Sequence, residues 1–419
     1  MAVRARGRNA VLQALVAHAE EMVDFASRLI AIPTENPPGR EYAVCVEAIA
    51  GELWRIGLPA EVLDVPAAGP PATNPDPTSG RPAAQWVRSG HGAAGARTLW
   101  FHGHYDVVPA QDPRQFLPYR KGDKLFGRGA ADMKSGLAAM IYAVRAIKDS
   151  GIALAGRLGL AIVPDEETGG AGGSRALAAA GILGERGIGM LTPEPSGGVA
   201  WNANRGAVTL RVTVRGKPSH VGLHFRGVNA FEGMVALAGR LLELEREVAR
   251  RETAFRIAPA AARRSILLLG GECAGGTGFN VVPERASFTV DRRINPEEDL
   301  EEEKQRLLAL LAAPPRRGLA VEVEVLQEGR SAGVAPDQPL ARALARSVAR
   351  VTGRAPRFEL CPGLLETRFY AERGVPALAY GPGRLSVSHG PHELVEIARL
   401  HDCAAIYALT ALDLLSTRG

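Results

Sequence analysis

The sequence contains little cysteine, no apolar run of membrane-spanning length and no continuous basic tract. Its cysteines lie far apart and form no CxxC pair, which is typical of a reduced, cytoplasmic protein: they are Cys45, Cys273, Cys361 and Cys403. No stretch approaches the roughly 20 apolar residues of a transmembrane helix, so no membrane partner is expected. Polar residues interrupt the apolar ones near the N-terminus, which predicts an amphipathic helix over 10–32 rather than a signal peptide.

The positive charge is dispersed along the chain. Although the net charge is +5, the 50 basic residues are interspersed with 45 acidic ones and occur as short doublets such as Arg250-Arg251. Because no basic tract alternates with aromatic residues, nucleic acid is not expected as a partner. The 46% hydrophobic and 23% charged residues are typical of a globular enzyme, and 419 residues exceed one ordinary core, so two domains are expected.

The first part of the chain has the pattern of an α/β domain. It predicts helices over 10–32, 42–56 and 137–147, neighbouring strands over 84–87 and 98–101, and a strand over 158–163. The segment Pro66–Pro82 is rich in turn-forming residues and predicts an exposed loop. The same architecture resumes late in the chain with a helix over 339–352, a strand over 377–380 and a helix over 397–414.

A second pattern interrupts the first. From residue 205, strands and helices are predicted in the order β-α-β-β-α-β, at 207–214, 230–249, 265–269, 286–290, 300–311 and 319–325. That order is the split, ferredoxin-like α+β sandwich. The predicted division is therefore an α/β domain made of 1–204 and 329–419, with an inserted domain at 205–328.

A polar motif follows one short apolar strand. Residues i and i+2 of an extended chain point the same way, so His104 and Asp106 share a face. His102 shares that face too, and composition does not say which histidine acts. A histidine beside a carboxylate suits a metal ligand whose ring is oriented from behind, although this motif alone is common by chance.

Other acidic residues lie at the ends of predicted elements. Asp132 closes a glycine-rich segment before an apolar helix, where it is either a helix cap or a ligand. Glu166 and Glu167 end a run of three acids after a strand, which is either a solvated loop or a cation site, since buried like charges repel. Glu194 lies between two prolines after a further strand, and His389 lies in a late loop.

Together these side chains predict a metal centre. The carboxyl ends of strands in an α/β sheet converge on one crevice, and these residues include no matching Arg or Lys. Mixed imidazole and carboxylate ligands favour Zn²⁺ or a similar first-row ion over Mg²⁺ or Ca²⁺. The acids exceed what one four-coordinate zinc needs, which indicates two metals that share a bridging carboxylate.

The motifs, taken in order, resemble those of one enzyme family. This is the dinuclear zinc amidohydrolase and peptidase family of acetylornithine deacetylase, succinyl-diaminopimelate desuccinylase, aminoacylase and carboxypeptidase G. The resemblance extends from about residue 20 to the C-terminus. It implies an α/β zinc-peptidase catalytic domain with a mixed sheet and an inserted ferredoxin-like lid and dimerisation domain.

The resemblance also implies a set of metal ligands. Asp132 would bridge two Zn²⁺ ions, with Co²⁺ as a possible substitute. His104 and Glu194 would complete the first site, and Glu167 and His389 the second. Two such ions, roughly 3.5 Å apart, can hold a bridging water and lower its pKa towards ~7.

Other residues would support this centre. Asp106 would orient His104, Glu166 would be the general base, and the peptide bond after Asp132 would be cis. His102 occupies no ligand position in the family pattern, so we predict a structural role for it.

The inserted domain carries further predicted site residues. By the same resemblance, His220 would stabilise the oxyanion, often from the other subunit of a dimer, and Asn280 and Arg293 would contact the substrate carboxylate. Arg368 follows a related pattern, but Glu366 replaces a commoner aspartate there, which leaves the shape of the amino-acid pocket open.

The sequence thus predicts a cytoplasmic, homodimeric two-zinc hydrolase of the linear amide bond in an N-acyl amino acid or small peptide. Two alternatives stay open. One is an N-carbamoyl amino acid hydrolase on the same fold, which would release ammonia. The other is a dimeric binding protein that keeps the fold without turnover.

Overall fold

The computed structural model describes residues 2–66 and 84–416, so the predicted Pro66–Pro82 loop lies outside the described residues apart from Pro66. In chain order the α-helices are α1 (Ala2–Ala17), α2 (Ala19–Ile30), α3 (Tyr42–Arg55), α4 (Lys134–Asp149), α5 (Ser174–Ala179), α6 (Ala230–Val248), α7 (Leu300–Ala312), α8 (Pro339–Thr352), α9 (Thr367–Ala371) and α10 (Ile397–Leu415).

The β-strands alternate with these helices. In chain order they are β1 (Ala60–Asp64), β2 (Gln85–Gly92), β3 (Thr98–His104), β4 (Tyr119–Lys121), β5 (Lys124–Phe126), β6 (Arg157–Val163), β7 (Gly187–Thr192), β8 (Ala200–Asn204), β9 (Gly206–Arg215), β10 (Ser219–His220), β11 (Ile266–Gly275), β12 (Val281–Val282), β13 (Arg285–Ile294), β14 (Ala320–Gly329), β15 (Ala332–Gly333), β16 (Phe358–Cys361), β17 (Ala377–Ala379) and β18 (Leu394–Glu396).

The chain divides into two compact units. Unit 1 comprises Met1–Asn202, Val334–Phe358 and Phe369–Gly419, and unit 2 comprises Ala203–Gly333 and Glu359–Arg368. Unit 2 therefore includes a late segment, 359–368, beside the continuous insert. Among the helices of the described residues, none combines the length and apolar character needed to cross a membrane.

Unit 1 is built on a mixed sheet with strand order β1-β2-β6-β3-β7-β17-β8. Strand β3 lies inside it, parallel to β6 and β7, and each of its residues is buried. Helices α4 and α10 belong to the core of this unit, where the rings of Phe101 and Tyr407 pack 5.7 Å apart. The buried parallel strands deliver their carboxyl ends to one edge of the sheet.

Two details of the predicted first part are wrong. The helix predicted over 10–32 is two helices, α1 and α2, because the backbone leaves the helical conformation at His18 (φ −109°, ψ 15°). Strands β2 and β3 are not neighbours, since β6 lies between them, antiparallel to β2 and parallel to β3. The short connection between β2 and β3 predicts adjacent strands. However, residues 158–163 of the apolar strand β6 are all buried, and β6 occupies the interior position between them.

Unit 2 is the predicted β-α-β-β-α-β sandwich. Its antiparallel sheet has the order β11-β13-β9-β14, with β9 bonded to both β13 and β14. Helices α6 and α7 supply apolar residues to its core. Asn229 and Asp299 cap them by accepting hydrogen bonds from the amides of the first turn, as polar N-cap residues do. The predicted fold class, a mixed-sheet α/β domain with a ferredoxin-like insert, is confirmed.

Candidate metal centre

The predicted ligands of unit 1 meet at the carboxyl edge of the sheet. His104 is the last residue of β3, and Glu166 and Glu167 form a single 3₁₀ turn directly after β6. Glu194 follows β7, and Asp132 lies just before α4. Because β3, β6 and β7 are parallel neighbours, their ends place these side chains around one point.

Two groups of three ligands share one aspartate. His104, Asp132 and Glu194 form the first, and Asp132, Glu167 and His389 form the second, with the ligand atoms of each group within 4.8 Å of one another. One carboxylate oxygen of Asp132 lies 3.5 Å from Nε2 of His104, and the other lies 3.3 Å from Nε2 of His389. Asp132 therefore faces both groups, as a bridging ligand must.

The two neighbouring glutamates point to different places. Glu167 Oε1 lies 3.4 Å from Nε2 of His389, within the second group. Glu166 Oε2 lies 3.8 Å from Nε2 of His104, yet Glu166 belongs to neither group. Asp165, which precedes them, has a left-handed backbone (φ 71°), so the turn directs consecutive side chains apart. Glu166 and Glu167 therefore face different ways.

The donor set fits two cations. Nε2 of His104 and Oε1 of Glu167 are buried and make no hydrogen bond within the described residues. A buried polar atom without a hydrogen-bond partner destabilises the folded protein. The two atoms in question are an imidazole nitrogen and a carboxylate oxygen. Both are ligand types that zinc and similar ions accept. This geometry favours a cation site over a solvated loop for the acidic run.

A family model described as peptidase family M20/M25/M40 matches residues 100–413, most of the chain. The chain belongs to peptidase family M20/M25/M40. It is therefore a metal-dependent hydrolase, and the family resemblance inferred from the motifs is confirmed.

Relatives and solved structures of the family extend over almost the whole chain. The sequence is 29% identical over 408 residues to a succinyl-diaminopimelate desuccinylase of Paracidovorax citrulli, which covers 92% of this chain and 96% of that protein. The fold is similar to that of the dipeptidase Dug1p of Saccharomyces cerevisiae (TM-score 0.73, 17% identity, 97% and 98% of the two chains covered). It is also similar to Bacillus subtilis YXEP, described as a dinuclear metal-binding peptidase of the M20 family (TM-score 0.66, 16% identity, 95% and 99% covered).

The acids of this M20 family member control the charge of its histidines. Burial acts to lower the pKa of His104, but the neighbouring carboxylates of Asp106 and Asp132 hold it well above its ordinary value. The adjacent carboxylates of Asp132 and Glu167 raise the pKa of His389 to about 10. Burial raises the pKa of Glu167. The carboxylates thus favour the protonated form of both imidazoles, so protons and cations compete for the same ring nitrogens.

Asp106 supports the centre from behind, and its network contains a residue that the sequence analysis missed. Nδ1 of His104 lies 3.0 Å from the carbonyl oxygen of Asp106, which leaves Nε2 directed at the ligand groups. The Asp106 carboxylate also accepts hydrogen bonds from the amides of Glu166 and Glu167. The buried amide of Asn36 donates to Asp106 and to Asp165, each at 2.9 Å. Asn36 lies 70 residues before Asp106, and no local pattern links the two.

Arg128 and Glu393 were also missed, although Arg128 lies in the glycine-rich segment before Asp132 and Glu393 in the loop of His389. They form a buried ion pair of 2.5 Å behind Asp132. Glu393 follows His389 by only four residues. An acidic residue so close in sequence to a predicted metal ligand was the signal that could have identified Glu393.

Three smaller expectations can be compared with the structure. The Asp132–Met133 peptide is cis, as the resemblance implied. Helix α4 has Met133 at its N-cap without a side-chain cap, so Asp132 is not a helix cap. The ring nitrogens of the buried His102 lie 3.2 Å from the hydroxyl of Ser174 and 3.1 Å from that of Tyr370, which agrees with a structural role.

The predicted substrate residues all lie in unit 2. His220 and Asn280 are close together there, because β10 pairs with β12 and the amide of Val221 bonds to the carbonyl of Asn280 at 2.9 Å. Arg293 is paired with Asp291 at 3.0 Å. Arg368 is buried and donates to the carbonyl of Leu365 at 2.8 Å. Their roles towards substrate stay predictions.

Proposed function

We propose that this protein hydrolyses the linear amide bond of an N-acyl amino acid or small peptide, using two Zn²⁺ ions, with Co²⁺ able to substitute. The observation that carries the proposal is the pair of ligand groups sharing Asp132, with the carboxylate of Glu166 beside them but outside both. A carboxylate that is close to a metal centre without being a ligand is placed for proton transfer.

The protein's own residues have distinct tasks in this reaction. When bound, the two cations lower the pKa of a water molecule and polarise the substrate carbonyl. His104, Asp132, Glu167, Glu194 and His389 hold them. Glu166 accepts a proton from the water that attacks the carbonyl and donates it to the leaving nitrogen. Asp106 orients His104 and, through the amides of Glu166 and Glu167, also fixes the turn that carries the base.

We also propose that unit 2 supplies the substrate contacts. His220 stabilises the developing oxyanion, and its exposed position on β10 beside Asn280 supports a role in contacting a ligand. Arg293 and Arg368 bind the carboxylate of the amino acid, for which a guanidinium offers paired donors. In this proposal, residues 1–204 and 329–419 form the catalytic domain, and the inserted domain at 205–328 acts as its lid.

The protein is proposed to act as a homodimer in the cytoplasm, with small molecules rather than nucleic acid as ligands. The apolar side chains of Phe231, Val235 and Leu242, all exposed on helix α6, support dimerisation, because a contiguous exposed apolar patch often marks an interface. The cysteines support a reducing compartment: Cys45, Cys273, Cys361 and Cys403 are free thiols.

A substrate panel with one variant tests the activity. Zinc-loaded protein is assayed with N-acetyl, N-succinyl and N-carbamoyl amino acids and with dipeptides, and both amine and ammonia release are measured. Amine release without ammonia supports the deacylase or peptidase activity, whereas ammonia from N-carbamoyl compounds alone would establish the alternative hydrolase. Glu166→Gln should keep both metals, as measured by elemental analysis. Its turnover rate should fall about 10²–10⁴-fold. Substantial residual turnover would refute the assignment of the base.

A further inference from the structure

The loop that carries His389 is attached to the segment that carries Asp132 by a buried carboxylate. Oε1 of Glu393 accepts hydrogen bonds from three backbone amides of the segment that ends at Asp132. They are the amides of Gly129, Ala131 and Asp132, at 3.1, 2.9 and 3.0 Å. Its other oxygen is paired with Nη1 of Arg128 at 2.5 Å. With both oxygens engaged in this way, Glu393 shapes the backbone at Asp132 rather than acting as a ligand.

Arg128 extends the attachment to the second histidine. Its Nη2 donates to the carbonyl oxygen of His389 at 3.2 Å and to Oε1 of Gln111 at 2.9 Å. Gln111 in turn donates from Nε2 to the same His389 carbonyl at 2.9 Å. The His389 backbone is thus held by two donors. Arg128 and Glu393 are almost completely buried, whereas Gln111 is exposed.

His389 needs such an attachment more than His104 does. His104 ends a buried strand, so packing on both sides fixes its ring. The side chain of His389 is 46% exposed and its backbone is left-handed (φ 63°), a conformation that costs energy for a non-glycine residue. Without restraint from neighbouring groups, this loop would adopt other conformations, and ordering it would reduce the affinity for a metal ion.

We propose that Arg128 and Glu393 are positioning residues that set the affinity of the second metal site, formed by Asp132, Glu167 and His389. The pair joins two of that site's three ligands, which are 257 residues apart in sequence, into one network. In the first site, Asp132 is the ligand that this network contacts, whereas His104 and Glu194 are held at the ends of strands. The inference rests on the two-metal function proposed above.

The experiment measures the two sites separately. Metal-free protein is titrated with Co²⁺, and binding is followed by the visible absorption of each bound ion and by competition with a chelator. Glu393→Gln should weaken the second Co²⁺ about 10–100-fold, the usual consequence of losing a partner that orients ligands, while the first changes by less than about threefold. Gln111→Ala, a surface substitution that removes one donor to the His389 carbonyl, should weaken the second site by a smaller factor.

Glu303→Gln in unit 2 is the matched control. Glu303 is likewise a buried acid, paired with Arg292 at 2.7 Å, but it lies outside the metal-binding unit. It should leave both Co²⁺ affinities unchanged.

Distinct outcomes separate this inference from the proposed function. Wild-type affinity for the second Co²⁺ in both Glu393→Gln and Gln111→Ala would overturn the positioning role while leaving the two-metal hydrolase intact. Equal weakening of both sites in Glu393→Gln would also overturn it, because a general loss of structure does not choose one site. If the wild-type protein bound a single Co²⁺, the two-metal function would fail, and this inference with it. Should Glu393→Gln not fold, Gln111→Ala still decides the question.

Discussion

The two units each contain a buried cluster of charged side chains, and the clusters differ in balance. In unit 2, Arg292 bonds to Glu298 and Glu303 at 2.6 and 2.7 Å, and Arg251 bonds to the same two glutamates at 2.8 and 2.6 Å. Each buried acid there meets an arginine. In unit 1, the acids Asp132, Glu166, Glu167 and Glu194 lie around the imidazoles of His104 and His389.

The pKa values show what this difference means. Burial acts to raise the pKa of Glu298, but bonds from Ser265 and the charge of Arg292 keep it below its ordinary value, so that cluster is stable as ionised protein groups. In unit 1 the pKa of His389 is raised to about 10 and that of Glu167 is raised as well. The acids of the unit 2 cluster are balanced by arginines, whereas the acids of the unit 1 cluster raise the pKa values of the neighbouring histidines.

The largest effect should follow from removing the shared ligand of unit 1. Asp132→Ala takes one ligand from both groups, so we expect loss of both metals and of turnover by more than about 10⁴, with the fold retained. Elemental analysis and circular dichroism measure metal content and folding. His102→Gln is the control, because the His102 ring bonds to the hydroxyls of Ser174 and Tyr370, and it should keep both metals. Retention of two metals by Asp132→Ala would contradict the bridging role.

The next largest effect should be on stability rather than on metal. Glu303→Gln leaves Arg292 and Arg251 with one carboxylate fewer in a buried site. Removing one member of a buried ion pair lowers the free energy of unfolding by about 3–5 kcal/mol. Hydrogen exchange of the β9 and β13 amides would report the opening free energy of unit 2. Unchanged exchange there would show that the cluster contributes little.

Metal binding should release protons. Neighbouring carboxylates raise the pKa values of His104 and His389, which favours protonated imidazoles without metal, yet zinc binds neutral imidazole. We therefore expect protons to be released when both sites fill, and an affinity that falls as the pH is lowered. Calorimetry in buffers of different ionisation enthalpy measures the number. His389→Ala should release about one proton fewer, and an equal release would refute this assignment.

The smallest effect should come from an exposed ion pair. Arg215 and Glu322 lie 2.6 Å apart on neighbouring strands of unit 2, but both side chains are more than half exposed. Water and salt screen such pairs, so Glu322→Gln should not change the thermal midpoint measurably. A clear drop in the thermal midpoint would mean that this exposed ion pair stabilises unit 2, contrary to the proposed difference between its exposed and buried pairs.

The structure confirms much that the sequence predicted, because periodic patterns reflect local contacts. The β-α-β-β-α-β order of unit 2 follows from apolar residues repeating along single elements. Helix α8 begins and ends where the pattern predicted, at Pro339 and Thr352. The ligand types were also readable, since acids at several strand ends have no packing role in an apolar sheet.

The sequence by itself determined the elements, the chemistry of the ligands and the order of the motifs. Only the tertiary structure decided how distant parts combine. It placed β6 between β2 and β3, directed the side chains of Glu166 and Glu167 apart, and brought Asn36 to Asp106 and Glu393 to Asp132. The physical reason is that a periodic pattern records what one element buries, whereas a hydrogen bond across 70 or 261 residues depends on how the elements pack.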